Sequence, residues 1–194
     1  MTPRDVRTLG VLVVAFGLAG GGVLATAAPF GAVTDAAATD AAPTEIDSCT
    51  TIDDSGTYVL TSDIENGGKT AISKACIEIT ADGVTFDGGG HLVDGRGVSH
   101  TKGVAVAGAE GVTIRNVSVA DWHSGVLVTE GSSATVRNVE TFSNAYGVRL
   151  ENATGATVEN STISDNLVGV SAAGENVTLT ENDFSGNAIE VQRD

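Results

Sequence analysis

Basic residues are scarce in this chain of 194 residues: ten Lys and Arg stand against 25 Asp and Glu, a formal net charge of −15. Such a chain repels nucleic acid and anionic lipid, so no nucleic-acid partner is expected. Aromatic residues make up only 4%, too few for a bulky core or an aromatic-lined cofactor pocket. No serine sits in a G-x-S-x-G elbow, and no calcium-binding nonapeptide repeat occurs. The sequence implies neither a cofactor nor a metal. Beyond residue 28 there is no long apolar run and no apolar stripe at helical spacing. Glycine is plentiful instead, with 25 residues, about 13% against a usual ~7%.

The amino-terminal 28 residues read as an address. Arg4 and Arg7 precede an uncharged apolar run, Leu9 to Ala28, and Ala25-Thr26-Ala27 has the small-x-small form of a cleavage site. The run is also long enough to span a bilayer as an uncleaved anchor. Either way, the arginines leave the rest of the chain on the non-cytoplasmic side, and a membrane contact is expected only through residues 9–28 if they stay uncleaved. Without residues 1–28, which carry two Arg and one Asp, eight basic and 24 acidic groups remain, or −16 on 166 residues. Lys69, Lys74 and Lys102 are then the only lysines, a balance that resembles secreted proteins of extreme halophiles, where molar salt screens the repulsion. Residues 29–47, rich in Ala, Thr and Asp with two prolines, read as a flexible tether. Cys49 and Cys76 both follow the export segment and are expected to form one disulfide, adding roughly 3 kcal/mol.

From Gly103 the chain repeats. Gly103, Gly125, Gly147 and Gly169 fall at steps of 22 residues, as do Asn116, Asn138 and Asn160, and a fixed period of this length marks a solenoid. Each unit holds three short runs alternating apolar and polar, for example Gly147 to Leu150, Ala156 to Glu159 and Asn160 to Ile163. These are period-two strands. Six leucines after the signal are too few for a leucine-rich repeat. The expected fold is all-β, a right-handed parallel β-helix of about five coils over residues 48–194, with equivalent residues stacked about 4.8 Å apart.

Three inward columns follow: Val104, Val126, Val148 and Val170; Ile114, Val136, Val158 and Leu179; Val119, Thr141, Ile163 and Phe184. The short last unit aligns with Glu181, rather than Asn182, opposite Asn160. Asn116, Asn138 and Asn160 are expected to stack as a hydrogen-bonded ladder. Asn144, Asn166 and Asn187 suggest a second, shorter one in which Trp122 takes the place of Asn. The repeat glycines are expected to supply positive φ. Cys76 to Gly95 reads as an irregular first coil, with Ile77 over Val104 and Phe86 over Ile114, and Thr50 to Ile64 as strands closing the amino-terminal end. At the other end Ile189 and Val191 read as a new strand matching Val170 and Ala172. Its open edge invites self-association.

The stretches Cys49-Thr-Thr-Ile, Gly56-Thr-Tyr-Val-Leu, Cys76-Ile-Glu-Ile and Val84-Thr-Phe-Asp-Gly-Gly-Gly-His resemble the opening of haloarchaeal NosD-like parallel β-helix proteins, within the broad group of carbohydrate-binding and sugar-hydrolysis β-helix domains. The resemblance covers about residues 48–191. It implies the fold strongly and activity weakly. The NosD name implies copper, but Met1 is the sole methionine and the cysteines are expected to pair. The histidines, His91, His100 and His123, fall in different coils with no repeated column.

Asp87, His91 and Asp94 are the closest polar grouping, but strand alternation turns Asp94 away from His91. Asp121, Trp122 and His123 form the candidate ligand site, where an exposed indole beside polar groups could stack on a sugar; the alternative is a Trp packed on its own turn. Asn152 and Asn176 are the candidate glycosylation sites, since the sequons at Asn116 and Asn160 lie in the expected ladder. These features favour a secreted or surface-tethered binding or structural module that contacts polysaccharide or envelope components. The alternative is a polysaccharide hydrolase or lyase working within a larger assembly.

Overall fold

The computed structural model describes residues 42–193, so the export segment and most of the expected tether lie outside the described residues. Strands β1 (Thr44–Ile46), β2 (Thr50–Ile52) and β3 (Thr57–Leu60) open the fold, followed by a short 3-10 turn at Asn66–Lys69. Five complete three-strand coils follow. The first holds β4 (Ala75–Ile79), β5 (Thr85–Asp87) and β6 (Leu92–Asp94); the second β7 (Lys102–Ala107), β8 (Thr113–Arg115) and β9 (Ser118–Ala120). The third comprises β10 (Ser124–Thr129), β11 (Thr135–Arg137) and β12 (Glu140–Phe142); the fourth β13 (Tyr146–Thr154), β14 (Thr157–Glu159) and β15 (Thr162–Ser164). The fifth is β16 (Val168–Glu175), β17 (Thr178–Thr180) and β18 (Asp183–Ser185), and β19 (Ile189–Arg193) begins another. First strands stack into one seven-stranded sheet, second strands into another, and third strands into a five-stranded sheet. All the pairing is parallel, and the described residues contain no α-helix.

The expected columns are the core. Val104, Val126, Val148 and Val170 pair in register and are fully buried. Ile114, Val136, Val158 and Leu179 pair likewise, as do Val119, Thr141, Ile163 and Phe184. Ile77 stacks on Val104 and Phe86 on Ile114, while Ile64, beyond the end of β3, makes an isolated parallel bridge with Val93. Thr141 is the exception within its column: its buried hydroxyl has no hydrogen-bond partner among the described residues. The Cys49–Cys76 disulfide forms, tying the start of β2 to β4 in the next coil.

Three expectations about turns and ends are corrected. Asn116, Asn138 and Asn160 are not a side-chain ladder. Each adopts φ near +50° (51°, 50° and 49°), with Glu181 next in line at 55°, and Asn138 and Asn160 are exposed. Asn recurs there because it tolerates the left-handed conformation that the corner demands. Second, none of the repeat glycines has positive φ. A Cβ on Gly103, Gly125, Gly147 or Gly169 would instead lie 2.6–2.8 Å from a carbonyl oxygen of the following coil, so these residues are glycine for close approach. Third, the strand at Thr44–Ile46 pairs with β3, so the tether ends earlier than Asp47.

The ladder runs through the other column. Asn144 Oδ1 accepts from the Trp122 amide (2.9 Å), Asn166 Oδ1 from the Asn144 amide (3.0 Å), and Asn187 Oδ1 from the Asn166 amide (3.0 Å). In return each side chain donates to a third-strand carbonyl one coil earlier: Asn144 to Val119, Asn166 to Thr141 and Asn187 to Ile163. Trp122 is the first rung, its indole N–H donating to the Val93 carbonyl at 3.0 Å. The repeat glycines make room for this column, since a Cβ on Gly103, Gly125, Gly147 or Gly169 would also meet Trp122, Asn144, Asn166 or Asn187 respectively.

The last coil is less enclosed: Leu179 and Phe184 are only half-buried, and β17, β18 and β19 are the edge strands of their sheets. Ile189 pairs with Val168, and Val191 with Val170. This registers the final strand two residues away from the expected match, and Ile189 is exposed at the sheet edge.

Candidate functional site

The residues singled out from the sequence separate. Trp122 is buried as a ladder rung and cannot stack on a sugar, whereas Asp121 occupies an exposed corner at φ 60°. Asp87, His91 and Asp94 each have a separate partner. Asp87 Oδ2 lies 2.9 Å from Arg115 Nε, His91 Nδ1 donates to Asp63 Oδ1 at 3.0 Å, and Asp94 Oδ2 accepts from the Asn66 amide at 3.2 Å. The Leu92 amide, then the His91 imidazole, hold the Asp63 carboxyl below its ordinary range. Asn152 and Asn176 are exposed at left-handed corners. Asn160 is equally exposed, so the ladder argument against its sequon does not stand.

His123 alone of the candidate triplet reaches a shared surface, the outer face of the first-strand sheet. Its ring stacks on that of His100 with centroids 5.3 Å apart, and meets Tyr146 edge-on at 5.6 Å. The Arg149 guanidinium lies over the Tyr146 ring, 4.6 Å from its centroid. Three rings from three consecutive coils thus form one row. In the strand register Lys102 pairs with Ser124 and Ser124 with Tyr146, so each ring is displaced by one residue per coil relative to the 22-residue repeat. Alignment by repeat separates rings that the fold brings together. A spacing of 23 among His100, His123 and Tyr146 was the available signal.

Beside the rings is a recess of about 340 Å³ lined by His100, Lys102, His123, Ser124, Arg149 and Glu151, among others. Arg149 and Glu151 alternate with the inward Val148 and Leu150 on β13, while Lys102 and Ser124 open their strands ahead of the inward runs that begin at Val104 and Val126. Lys102 Nζ donates to the Ser73 carbonyl at 2.9 Å, which fixes the ammonium at the rim, and Arg149 is ion-paired with Glu151. The His123 pKa lies below the ordinary imidazole value, first through burial and then through the positive charge of His100, Arg149 and Lys102. A second, larger concavity of about 590 Å³ lies at the corner between the second and third strands, lined by Asp87, Asn116, Ser118, Asn138 and Glu140 among others. There Asp87 is held by Arg115 and Asn116, and Glu140 accepts from Ser118.

Residues 35–194 match the family described as "Periplasmic copper-binding protein (NosD)". The chain belongs to this family. No curated protein matches. Among solved structures the Dettilon tailspike protein is similar, with a TM-score of 0.54 and 15% identity over 70% of this chain and 30% of that one. A proposed glycosyl hydrolase from Parabacteroides merdae follows at a TM-score of 0.42 and 13% identity, covering 72% of this chain and 76% of that one. The first likeness supports the β-helix fold alone.

The residues of this NosD-family chain do not fit the copper ion that the family description implies. Both cysteines are joined in the disulfide and Met1 is the only methionine, which removes the thiolate and thioether donors that copper sites use. Among the described residues no group of three His, Cys, Asp or Glu is placed to hold a metal. The two imidazoles that do meet, His100 and His123, are neighbours of Lys102 and Arg149, whose charges oppose a cation.

Proposed function

We propose that this chain is an exported, envelope-associated binding module that holds a glycan along the outer face of its first-strand sheet. The observation that carries the reading is the row His100, His123 and Tyr146, one ring from each of three consecutive coils, beside a recess with hydroxyl, ammonium and guanidinium donors. Ring edges and faces supply apolar contact for sugar C–H groups, and the neighbouring donors can bond sugar hydroxyls. A solenoid face suits a polymer because successive coils set side chains one after another along the axis at the coil spacing. The family's periplasmic description agrees with an export segment at residues 1–28. Binding is favoured over hydrolysis because Asp87, His91 and Asp94, the grouping a hydrolase would draw upon, are engaged separately and do not converge.

The test is retention of the purified protein on a panel of immobilised polysaccharides, with the eluate assayed for released oligosaccharide. Wild-type protein is expected to be retained without product release, and the His123→Ala/Tyr146→Ala variant to be retained less. Failure to bind any polysaccharide overturns the reading. Product release that persists through repurification replaces it with the enzymatic alternative.

A further inference from the structure

We propose that the row of rings selects an anionic glycan, one bearing carboxylate or sulfate groups, which seat against Lys102, Arg149, His100 and His123. The inference rests on the glycan reading and adds the chemical class of the ligand.

The argument starts from distribution. Beyond residue 28 the chain carries 24 acidic and eight basic residues, so most of its surface repels a polyanion. The recess reverses this balance. It gathers two of those eight cations and two of the chain's three histidines, and Glu151 is the sole carboxylate on its lining. Glu151 is itself neutralised by Arg149. The cationic groups are also held in place: Lys102 by the Ser73 carbonyl, Arg149 by the Tyr146 ring and Glu151, and His123 between the His100 ring and the edge of Tyr146. Side chains already ordered lose less entropy when a ligand arrives. After the bond to Ser73, the ammonium retains two protons to donate. Lys102 and Arg149 stand on β7 and β13, two coils apart, or about 10 Å along the axis. They therefore address different points of a polymer rather than one small anion.

The imidazoles add a pH dependence. The charged groups that face His123 are His100 from the loop before β7, Lys102 on β7, and Arg149 with Glu151 on β13; Asp121 lies at the corner just before it. Three of these are cationic or can become so, and they resist a further proton on His123. A bound carboxylate or sulfate would reverse that, so anion binding and protonation assist one another. Affinity for a polyanion therefore rises as pH falls through the imidazole range.

The experiment measures binding of the full chain to sulfated dextran, polygalacturonate and unmodified dextran at about pH 8 and about pH 5.5, either side of the imidazole range, with far-UV circular dichroism confirming the fold of each variant. The expected result is retention of both polyanions about tenfold or more above dextran, the scale of one charge-assisted hydrogen bond, and stronger retention at the lower pH. Lys102→Glu/Arg149→Glu should remove the preference, bringing retention of the polyanions down to or below that of dextran, and His123→Gln should flatten the pH dependence. Equal binding of dextran and the polyanions overturns the anionic selectivity and leaves the glycan reading standing. Absence of binding to all three polymers overturns both. Polyanion binding unaffected by Lys102→Glu/Arg149→Glu assigns the selectivity to some other surface and refutes this site.

Discussion

Removing one rung of the buried ladder should cost several times more than removing an Asn from the corner column, although both substitutions are Asn to Ala at a 22-residue repeat position. Asn166 accepts from the Asn144 amide and its side chain, and donates to the Thr141 carbonyl. Asn166→Ala strips the Asn144 amide of its acceptor and the Thr141 carbonyl of this donor. At ~1 to 3 kcal/mol for each polar group left unsatisfied in the interior, the loss is about 3 kcal/mol. Asn138 is exposed, and among the described residues its side chain makes no hydrogen bond. Its value lies in tolerating φ 50°, so Asn138→Ala should cost about 1 kcal/mol. In a chain of this size, ~2 to 4 °C per kcal/mol converts these figures to melting shifts of about 9 °C and about 3 °C. Thermal melts followed by far-UV circular dichroism provide the assay. Glycine sharpens the comparison, because it relieves the strained corner but restores no ladder bond: Asn138→Gly should be close to neutral, and Asn166→Gly at least as damaging as Asn166→Ala. Equal shifts for the two alanine variants, or an Asn138→Gly worse than Asn138→Ala, would refute the assignment of the two columns.

Thr141 places an unpartnered hydroxyl among Val119 and Ile163, so Thr141→Val should raise the denaturation midpoint by about 1 kcal/mol in stability; a lower midpoint would mean the hydroxyl has a partner. Reducing the Cys49–Cys76 bridge, or replacing both cysteines by Ser, should lower stability by ~3 kcal/mol, read as the difference in midpoint with and without reductant. The folded-state pKa of His123 is depressed, so between that value and the unfolded value the unfolded chain binds more protons and stability falls as pH drops. Melting temperature should therefore decline from about pH 7.5 to about pH 5.5 more steeply in wild type than in His123→Gln, and parallel curves would count against this coupling. With −16 on residues 29–194, melting temperature should rise between ~0.1 and ~3 M NaCl as self-repulsion is screened; a flat profile rejects the halophilic reading.

The core was legible in the sequence because it is periodic. Val104, Val126, Val148 and Val170 point inward at fixed steps, and a stacked strand has no freedom to shift one of them without turning its neighbours to the wrong face. The first coil was readable for the same reason despite its longer loops, with Ile77 and Phe86 in their columns. Turn chemistry was harder to assign. Asn at a repeat position can serve a left-handed backbone or a buried amide ladder, and residue type alone does not separate Asn138 from Asn166. Exposure separates them: Asn138 points to solvent and Asn166 is buried. Glycine carries the same ambiguity, for Gly125 and Gly147 are small because the next coil's carbonyl is close, whereas Gly108 and Gly155 are glycines at positive φ. The sequence offers Trp122 both as a substitute for Asn in the second ladder, packed on its own turn, and as a ligand-facing residue. The rung is correct because its N–H reaches a strand carbonyl that Asn reaches in every later coil.

The surface strip was not legible by period because a solenoid frees its outer face from the rule governing its interior. Inward positions must match from coil to coil; an outward position answers only to solvent and to whatever binds there. His100, His123 and Tyr146 are displaced by one residue at each coil, and Lys102 and Arg149 stand in columns whose other members include Ser124 and Leu127. Departures from the repeat are therefore where function is to be sought in such a chain, and regularity is where stability resides. The same division accounts for the copper donors. A family can keep the inward columns and the ladder intact while its outward residues change, so membership in the NosD family carries the fold to this chain without carrying a ligand set. The residues outside the repeat here are imidazole, phenol, ammonium and guanidinium, and the charge they assemble draws an anion rather than a metal ion.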